Sequence, residues 1–203
     1  MTKVRLFYGS STGHTKAVAE TLHIMLGGLV EGAFDIAHAA PKDLADADGL
    51  ILGLSTWDQG APQEHWRPML PKLALMDLTG KKIALFGLGD SDAFSGLFVN
   101  GLAILHDALV DRGAKIIGAW PVDGYAFSHS NAVRDGRFVG LVIDQVNQSA
   151  LTFERVRSWV DLIRPDFIDG AARAAEPLLG SMIPPAQDRD LRRDSDPGPD
   201  SSL

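Results

Sequence analysis

Cysteine is absent from the 203 residues. That gap removes disulfides, thiol catalysis and cysteine-ligated iron–sulfur clusters together, so any redox chemistry needs an organic cofactor or a metal on other ligands. Long apolar runs are also missing: nothing reaches the ~18 uninterrupted apolar residues of a membrane span. The chain enters an apolar run at Val4 with no secretory pattern ahead of it, so a cytoplasmic, soluble protein is expected. Positive charge is in deficit, with a formal net charge of −7, which argues against nucleic acid and anionic membranes as main partners. Neither G-x-x-x-x-G-K-[ST] nor G-x-G-x-x-G occurs, which argues against a magnesium nucleoside triphosphate and removes the usual dinucleotide fingerprint. The histidines (His14, His23, His38, His65, His106, His129) form no i, i+4 pair and adjoin no carboxylate cluster. No metal is assigned.

What the chain does have is alternation. Short apolar runs at residues 4–9, 33–38, 49–55, 82–88 and 115–120 read as strands, and the segments between them are amphipathic. This pattern predicts a doubly wound, five-stranded parallel sheet covered by helices on both faces, a three-layer α/β/α domain. A first helix should begin near Thr15, carry Val18, Ala19, Leu22 and Leu26 on one face, and end at Gly27-Gly28. A later one, 100–112, carries Leu102, Leu105, His106 and Leu109. The last, 152–164, should be capped by Thr152 and halted by Pro165. Before it lie about thirty more residues than an ordinary connection needs, read as a hairpin and a resumed strand ending in Leu141-Val142-Ile143. Residues 1–165 thus form one domain, and 166–203 an extension rich in Pro, Asp and Arg. That extension is expected to be largely flexible, with Leu178, Leu179, Met182 and Ile183 as a weak docking candidate.

Ligands of such sheets sit at the carboxyl ends of the strands, and three of these ends are chemically unusual. After the first strand come Ser10, Ser11, Thr12, Gly13, His14 and Thr15, where hydroxyls and a glycine meet a helix N-terminus. Backbone N–H groups and hydroxyls together make a cradle for a terminal phosphate; the same residues also serve as ordinary turn and cap residues. After the third strand come Ser55, Thr56, Trp57, Asp58, Gln59 and Gly60, in which Trp57 is awkward as core and natural as a wall for a flat ring. Trp66 reads as packing. Ser55 is no nucleophile candidate, because the elbow's closing glycine is replaced by Trp57. After the fourth strand, Leu88, Gly89 and Asp90 lead to Phe94 and Phe98, offering close backbone approach, an acid and a second aromatic face.

Together the chain resembles a long-chain flavodoxin. The resemblance rests on Ser10-Ser11-Thr12-Gly13-His14-Thr15, Ser55-Thr56-Trp57 with Gly60, and Phe86-Gly87-Leu88-Gly89-Asp90. It continues through Leu105-His106-Asp107, Gly118-Ala119-Trp120-Pro121, Gly124-Tyr125-x-Phe127, Gly136-Arg137-Phe138-Val139-Gly140-Leu141 and Asn147-Gln148-x-x-Leu151-Thr152-x-x-Arg155. Motif order and spacing hold from residue 1 to about 165, and the excess before the last helix corresponds to the insertion in the last strand that defines the long-chain class.

The resemblance implies non-covalently bound FMN. Residues 10–15 would bind the phosphate, Ser55, Thr56 and Trp57 the ribityl chain and one ring face, and Leu88, Gly89 and Asp90 the pyrimidine edge, with Phe98 behind. Phe94 stands where the family usually has a stacking tyrosine, and Gln145-Val146 where it tends to have acids. The implied activity is low-potential one-electron transfer between semiquinone and hydroquinone, with Asp58-Gln59-Gly60 supplying a carbonyl that turns toward flavin N5. No catalytic residue is implied, since the cofactor does the chemistry. Implied partners are ferredoxin (flavodoxin)–NADP reductase, pyruvate:flavodoxin oxidoreductase and, for a nitrogen-fixation member, nitrogenase reductase, met by a monomer in transient electrostatic complexes. An FMN-dependent NAD(P)H:quinone reductase of the same fold is the alternative. A signalling receiver fails, because the aspartate it requires at the third strand's end is replaced by Ser55-Thr56-Trp57.

Overall fold

The computed structural model describes residues 3–168. In chain order the elements are β1 (Val4–Tyr8), α1 (His14–Leu26), β2 (Val30–Asp35), α2 (Pro41–Ala45), β3 (Gly49–Trp57), β4 (Ala61–Pro62), α3 (Leu70–Leu73), β5 (Lys82–Leu88) and α4 (Asn100–Val110). There follow β6 (Lys115–Ile117), β7 (Trp120–Pro121), β8 (Val133–Arg134), β9 (Arg137–Phe138), β10 (Leu141–Ile143) and α5 (Thr152–Phe167).

The parallel sheet runs β10-β5-β3-β1-β2, and β6 also pairs with β5. β6 and β10 are therefore two pieces of one interrupted fifth strand: Lys115–Ile117 pair with Lys82–Ala84, and Leu141–Ile143 with Phe86–Leu88. Between them the insertion forms its own small antiparallel sheet, β7-β9-β8. The chain winds outward from β1 to β2 on one side and from β3 to β5 on the other. The topological switch point thus falls between β1 and β3, where a crevice opens beyond the strand ends.

Strand alternation splits the core in two. Val4, Leu6 and Tyr8 point with Ile51, Phe86 and Ile143 toward α1 and α5, where Leu22, Trp159 and Ile163 are fully buried. Phe7, Leu52, Leu54 and Leu85 point the other way, toward Leu73, Leu102 and Leu105. Trp66 is fully buried and donates its indole N–H to the Gly53 carbonyl at 2.9 Å, the packing role expected of it.

Several departures from expectation have a visible cause. β2 occupies 30–35 rather than 33–38, because the Asp35 carboxylate accepts from the Ala37 amide at 2.9 Å and turns the chain into a 3-10 turn at Ile36–His38. The fifth strand stops at Ile117 rather than residue 120, with Gly118 at φ 79°. Thr152 does not cap α5; its hydroxyl donates to Gln145 Oε1 at 2.8 Å, and a 3-10 turn at Ser149–Leu151 leads in. Pro165 does not halt α5, which continues to Phe167. Phe167 is 2% exposed and its ring packs onto Gly49, so tertiary burial carries the last turn past the proline. The docking candidate Leu178, Leu179, Met182 and Ile183 lies outside the described residues.

Candidate functional site

The loops after β1, β3, β5 and β10 meet at the carboxyl edge of the sheet. Gly9 N–H donates to Gly53 O at 3.0 Å, which fixes the first loop against the third strand. There Gly13 adopts φ 90°, a left-handed conformation open to glycine, and a Cβ at this position would meet nothing within 4 Å. Ser10 Oγ accepts from the Gly13 amide at 3.1 Å, and Ser11 Oγ accepts from Gln63 Nε2 at 2.9 Å. Ser11, Thr12, Gly13 and His14 are exposed, whereas Thr15 is buried in the first turn of α1. The first turn of this thirteen-residue helix carries no acid, so its amides and dipole favour negative charge; the Glu64 carboxylate stands at the loop's rim, 3.5 Å from Ser11 Oγ.

β3 turns back into β4 through Asp58-Gln59-Gly60, with Trp57 paired to Ala61. Asp58 holds φ 49° and Gly60 φ 92°, and the Gly60 amide donates to Trp57 O at 3.1 Å. Trp57 is tethered by its indole N–H to Ser55 Oγ at 2.8 Å yet remains 40% exposed. Thr56 Oγ1 accepts from Gly101 N at 3.1 Å, tying this loop to α4.

Across the crevice, Asp90 Oδ1 accepts from Asp92 N at 3.1 Å and Ala93 N at 2.9 Å, an Asx turn that folds the loop after β5. It leads to Phe94, 54% exposed. Phe98 is fully buried among Tyr125, Phe127 and Phe138 of the insertion. Val99, before α4, holds φ 49° and ψ 27°, an outlier for a β-branched residue. Ser130 Oγ donating to Phe98 O at 2.5 Å and Asn131 N donating to Asn100 Oδ1 at 2.7 Å hold that conformation from both sides.

These loops enclose two adjoining clefts. One, of about 230 Å³, is lined by Thr56, Trp57, Asp58, Gly89, Asp90, Phe94, Leu97, Phe98 and Val99. The other, of about 130 Å³, shares Thr56, Trp57, Gly89, Asp90 and Phe94 and runs past Ser55 and Leu88 to Thr12, His14 and Thr15. Most of the expected residues are thereby brought together. Ser10, Ser11 and Gly13 shape the hydroxyl loop without lining either cleft, and Gln59 and Gly60 lie in the turn behind Trp57. The sequence reading did not count Leu97, Val99, Gln145 and Val146 among the lining residues. The last two follow β10, the resumed strand, and the strand-end rule applied to that end as to the other three places them at the crevice. Among the described residues no group of three or more metal-ligating side chains stands together, and no helix is long and apolar enough to cross a membrane.

A model of the flavodoxin family matches residues 6–159. A flavodoxin of Nostoc sp. is 40% identical over 165 residues, covering 81% of this chain and 97% of its own. The chain belongs to the flavodoxin family. Flavodoxin 2 of Escherichia coli (strain K12) is 41% identical over 160 residues, covering 78% of this chain and 92% of its own. The solved flavodoxin of Fusobacterium nucleatum, bound to flavin mononucleotide, superposes with a TM-score of 0.79 at 30% identity, covering 83% of this chain and all of that one. Flavodoxins are electron-transfer proteins rather than enzymes, and this chain is one of them.

Proposed function

We propose that the strand-end clefts hold FMN non-covalently, with its phosphate on the residue 10–15 loop and its ring between Trp57 and Phe94, and that the chain carries single electrons at low potential. One observation carries this reading. Two large aromatics on opposite loops stand half-exposed over one crevice, and that crevice runs without a break to a hydroxyl-rich helix N-terminus. A flat apolar group seated between the two rings would bury both faces at once. The phosphate end fits equally: hydroxyls of Thr12 and Thr15 with free amides of α1 suit a phosphomonoester. FMN, when bound, supplies the chemistry by accepting and releasing electrons one at a time.

The chain's own residues set the terms of that exchange. Trp57 and Phe94 exclude water from both ring faces. Asp90 opposes additional negative charge in the cleft, and Asp58 does so in part, since Arg67 lies 3.3 Å from its carboxylate; a unit charge at about 5 Å is worth roughly 3 kcal/mol at an effective dielectric near 20, before solvent screening reduces it. Asp58 already holds a left-handed conformation, and Gly60, two residues on, lets the turn's carbonyls reorient toward the ring edge at little strain.

The acidic balance favours basic redox partners in short-lived complexes made by a monomer. Ferredoxin (flavodoxin)–NADP reductase and pyruvate:flavodoxin oxidoreductase suit the donor role, and nitrogenase reductase is the acceptor to be tested. Stepwise anaerobic reduction of the FMN-loaded protein tests the central claim. A one-electron-reduced flavin should accumulate at high yield, with the second electron entering only at low potential. Direct two-electron bleaching by NAD(P)H would overturn it in favour of a reductase, and a colourless protein that takes up no added FMN would remove the cofactor assignment.

A further inference from the structure

Asp144 is the one carboxylate in the described residues that is fully buried, at 0% exposure, and it lines neither cleft. It stands just past β10. Its Oδ2 accepts from Ser91 N at 3.1 Å, from Ser91 Oγ at 2.6 Å and from Asn147 Nδ2 at 3.0 Å. Its Oδ1 accepts from Asn147 N at 3.0 Å and Nδ2 at 3.1 Å, while its backbone carbonyl accepts from Gln148 N at 2.9 Å. Asn147 Nδ2 reaches on to Asp90 Oδ1 at 2.9 Å. One side chain therefore joins the loop after β5, which supplies Gly89, Asp90 and Phe94 to the clefts, to the loop after β10, which supplies Gln145 and Val146.

A carboxylate taken out of water costs several kcal/mol unless donors replace its hydration. Here burial alone would push its pKa up, but hydrogen bonds from Ser91 and Asn147 hold it below the ordinary carboxylate range. The donors do this without a cation. Such a network is rigid when complete and costly when one member is lost, because each remaining buried group is left unpaired.

We propose that Asp144 is a positioning residue: its buried carboxylate latches the 88–94 loop to the 145–148 loop and so sets the spacing and polarity of the wall against which the flavin ring rests. The inference rests on the FMN reading above, and the latch itself exists with or without the cofactor. Its test therefore has two arms. In the first, amide hydrogen exchange is followed in FMN-free protein. Asp144→Ala should lower protection in residues 90–94 and 145–148 by about tenfold or more, the scale of one or two lost charge-assisted hydrogen bonds, and leave β1 and β3 unchanged. In the second arm, FMN affinity should fall by about tenfold in Asp144→Ala and by a smaller factor, in the same direction, in Ser91→Ala, which keeps the charge.

Asp144→Asn supplies the separation between charge and position. Its oxygen can still accept from Ser91 while its NH2 meets the Asn147 donors, so protection should survive in 90–94 and fall in 145–148, and loss of the fixed negative charge raises the potential at which the second electron enters. Wild-type protection in Asp144→Ala, or a loss spread evenly over the whole sheet, would overturn the latch. If Asp144→Ala does not fold, Ser91→Ala and Asn147→Ala decide the same question. A wild-type protein that exchanges as described but binds no FMN would sink the cofactor reading and leave the latch standing.

Discussion

The larger hollow in this molecule is not the one that carries the functional reading. A cleft of about 440 Å³ lies beside the edge strand β2, lined by Arg5, Phe7, Ala33, Phe34, Asp35, His38, Ala39 and Asp43. It exceeds the strand-end clefts of about 230 and 130 Å³. Its charged groups already have partners: Arg5 Nε donates to Glu31 Oε2 at 2.8 Å and its NH1 to Asp43 O at 2.9 Å, Asp43 Oδ2 accepts from Ala40 N at 2.8 Å, and Asp35 Oδ1 meets His65 Nδ1 at 3.0 Å. Its aromatics contact each other, with Phe7 and Phe34 tilted by 40° at a centroid distance of 5.8 Å. No residue from 30 to 43 has a positive φ. At the strand ends the reverse holds. Asp58, Gly60 and Val99 sit in left-handed conformations, two aromatics lack partners of their own, and a helix N-terminus stands open. Unsatisfied capacity, rather than volume, marks a site.

The sharpest way to break that comparison is to remove one aromatic from each cleft. Trp57→Ala should weaken FMN binding by about 3 kcal/mol, on the order of 100-fold, taking roughly 100 Å² of apolar contact at about 25–30 cal/mol per Å². Phe34→Ala should leave affinity within about twofold, since the ring lies in the other cleft. Titration of FMN-free protein, followed by quenching of flavin fluorescence, measures both. Equal losses would mean that the β2 cleft is coupled to the cofactor or is itself its seat.

Much of this asymmetry was legible in the sequence, for a physical reason. Ser10–Thr15, Ser55–Trp57 and Leu88–Phe94 follow apolar runs too short to be anything but strands, and hydroxyl, glycine and exposed-aromatic residues there have no packing purpose. The features that stayed hidden depend on contacts between distant segments. Val99 reads as one more apolar residue until Ser130 and Asn131 from the insertion hold its backbone. Thr152 has the chemistry of a cap, but Gln145 takes its hydroxyl. Pro165 carries a stop signal that the burial of Phe167 overrides. Gln145 and Val146 follow a resumed strand that the sequence does show, but their place on the cleft depends on that strand pairing with β5, a contact between distant segments.

The insertion packs behind one cleft and not the other, and Tyr125 makes its contribution to stability testable. Its hydroxyl donates to Val142 O at 2.5 Å and accepts from Trp120 Nε1 at 3.0 Å, while its ring packs on Phe98 at the back of the strand-end cleft. Burial pushes its phenol up to about 12, against the opposing pull of Arg155, whose guanidinium lies 4.0 Å over the ring, and of the Trp120 hydrogen bond. An unfolded tyrosine titrates near 10. Because the folded value is the higher one, its stabilisation is whole below pH 10 and is lost as pH rises from about 10 to 12, by between roughly 2 and 3 kcal/mol. Urea denaturation across this range should show that fall in wild type and a flatter limb in Tyr125→Phe, which costs about 1 kcal/mol at neutral pH. An unchanged alkaline limb would assign the fall to another group.

The smallest effect comes from adding a hydroxyl at the mouth of the site. Phe94 lines both strand-end clefts and is 54% exposed, so the para position of a tyrosine there has room to reach water. A hydroxyl that stays hydrated gains little on binding, because it exchanges one hydrogen bond for another. Phe94→Tyr should therefore change FMN affinity by less than about fivefold, within the ~1 kcal/mol of a single neutral hydrogen bond. Phe34→Tyr in the β2 cleft should change it not at all. A tightening beyond tenfold in Phe94→Tyr would mean that the bound flavin closes this edge off from water and that the hydroxyl finds a fixed partner there. The loop carrying Phe94 would then move inward when the cofactor binds, and the half-exposed ring would mark an open state of the crevice.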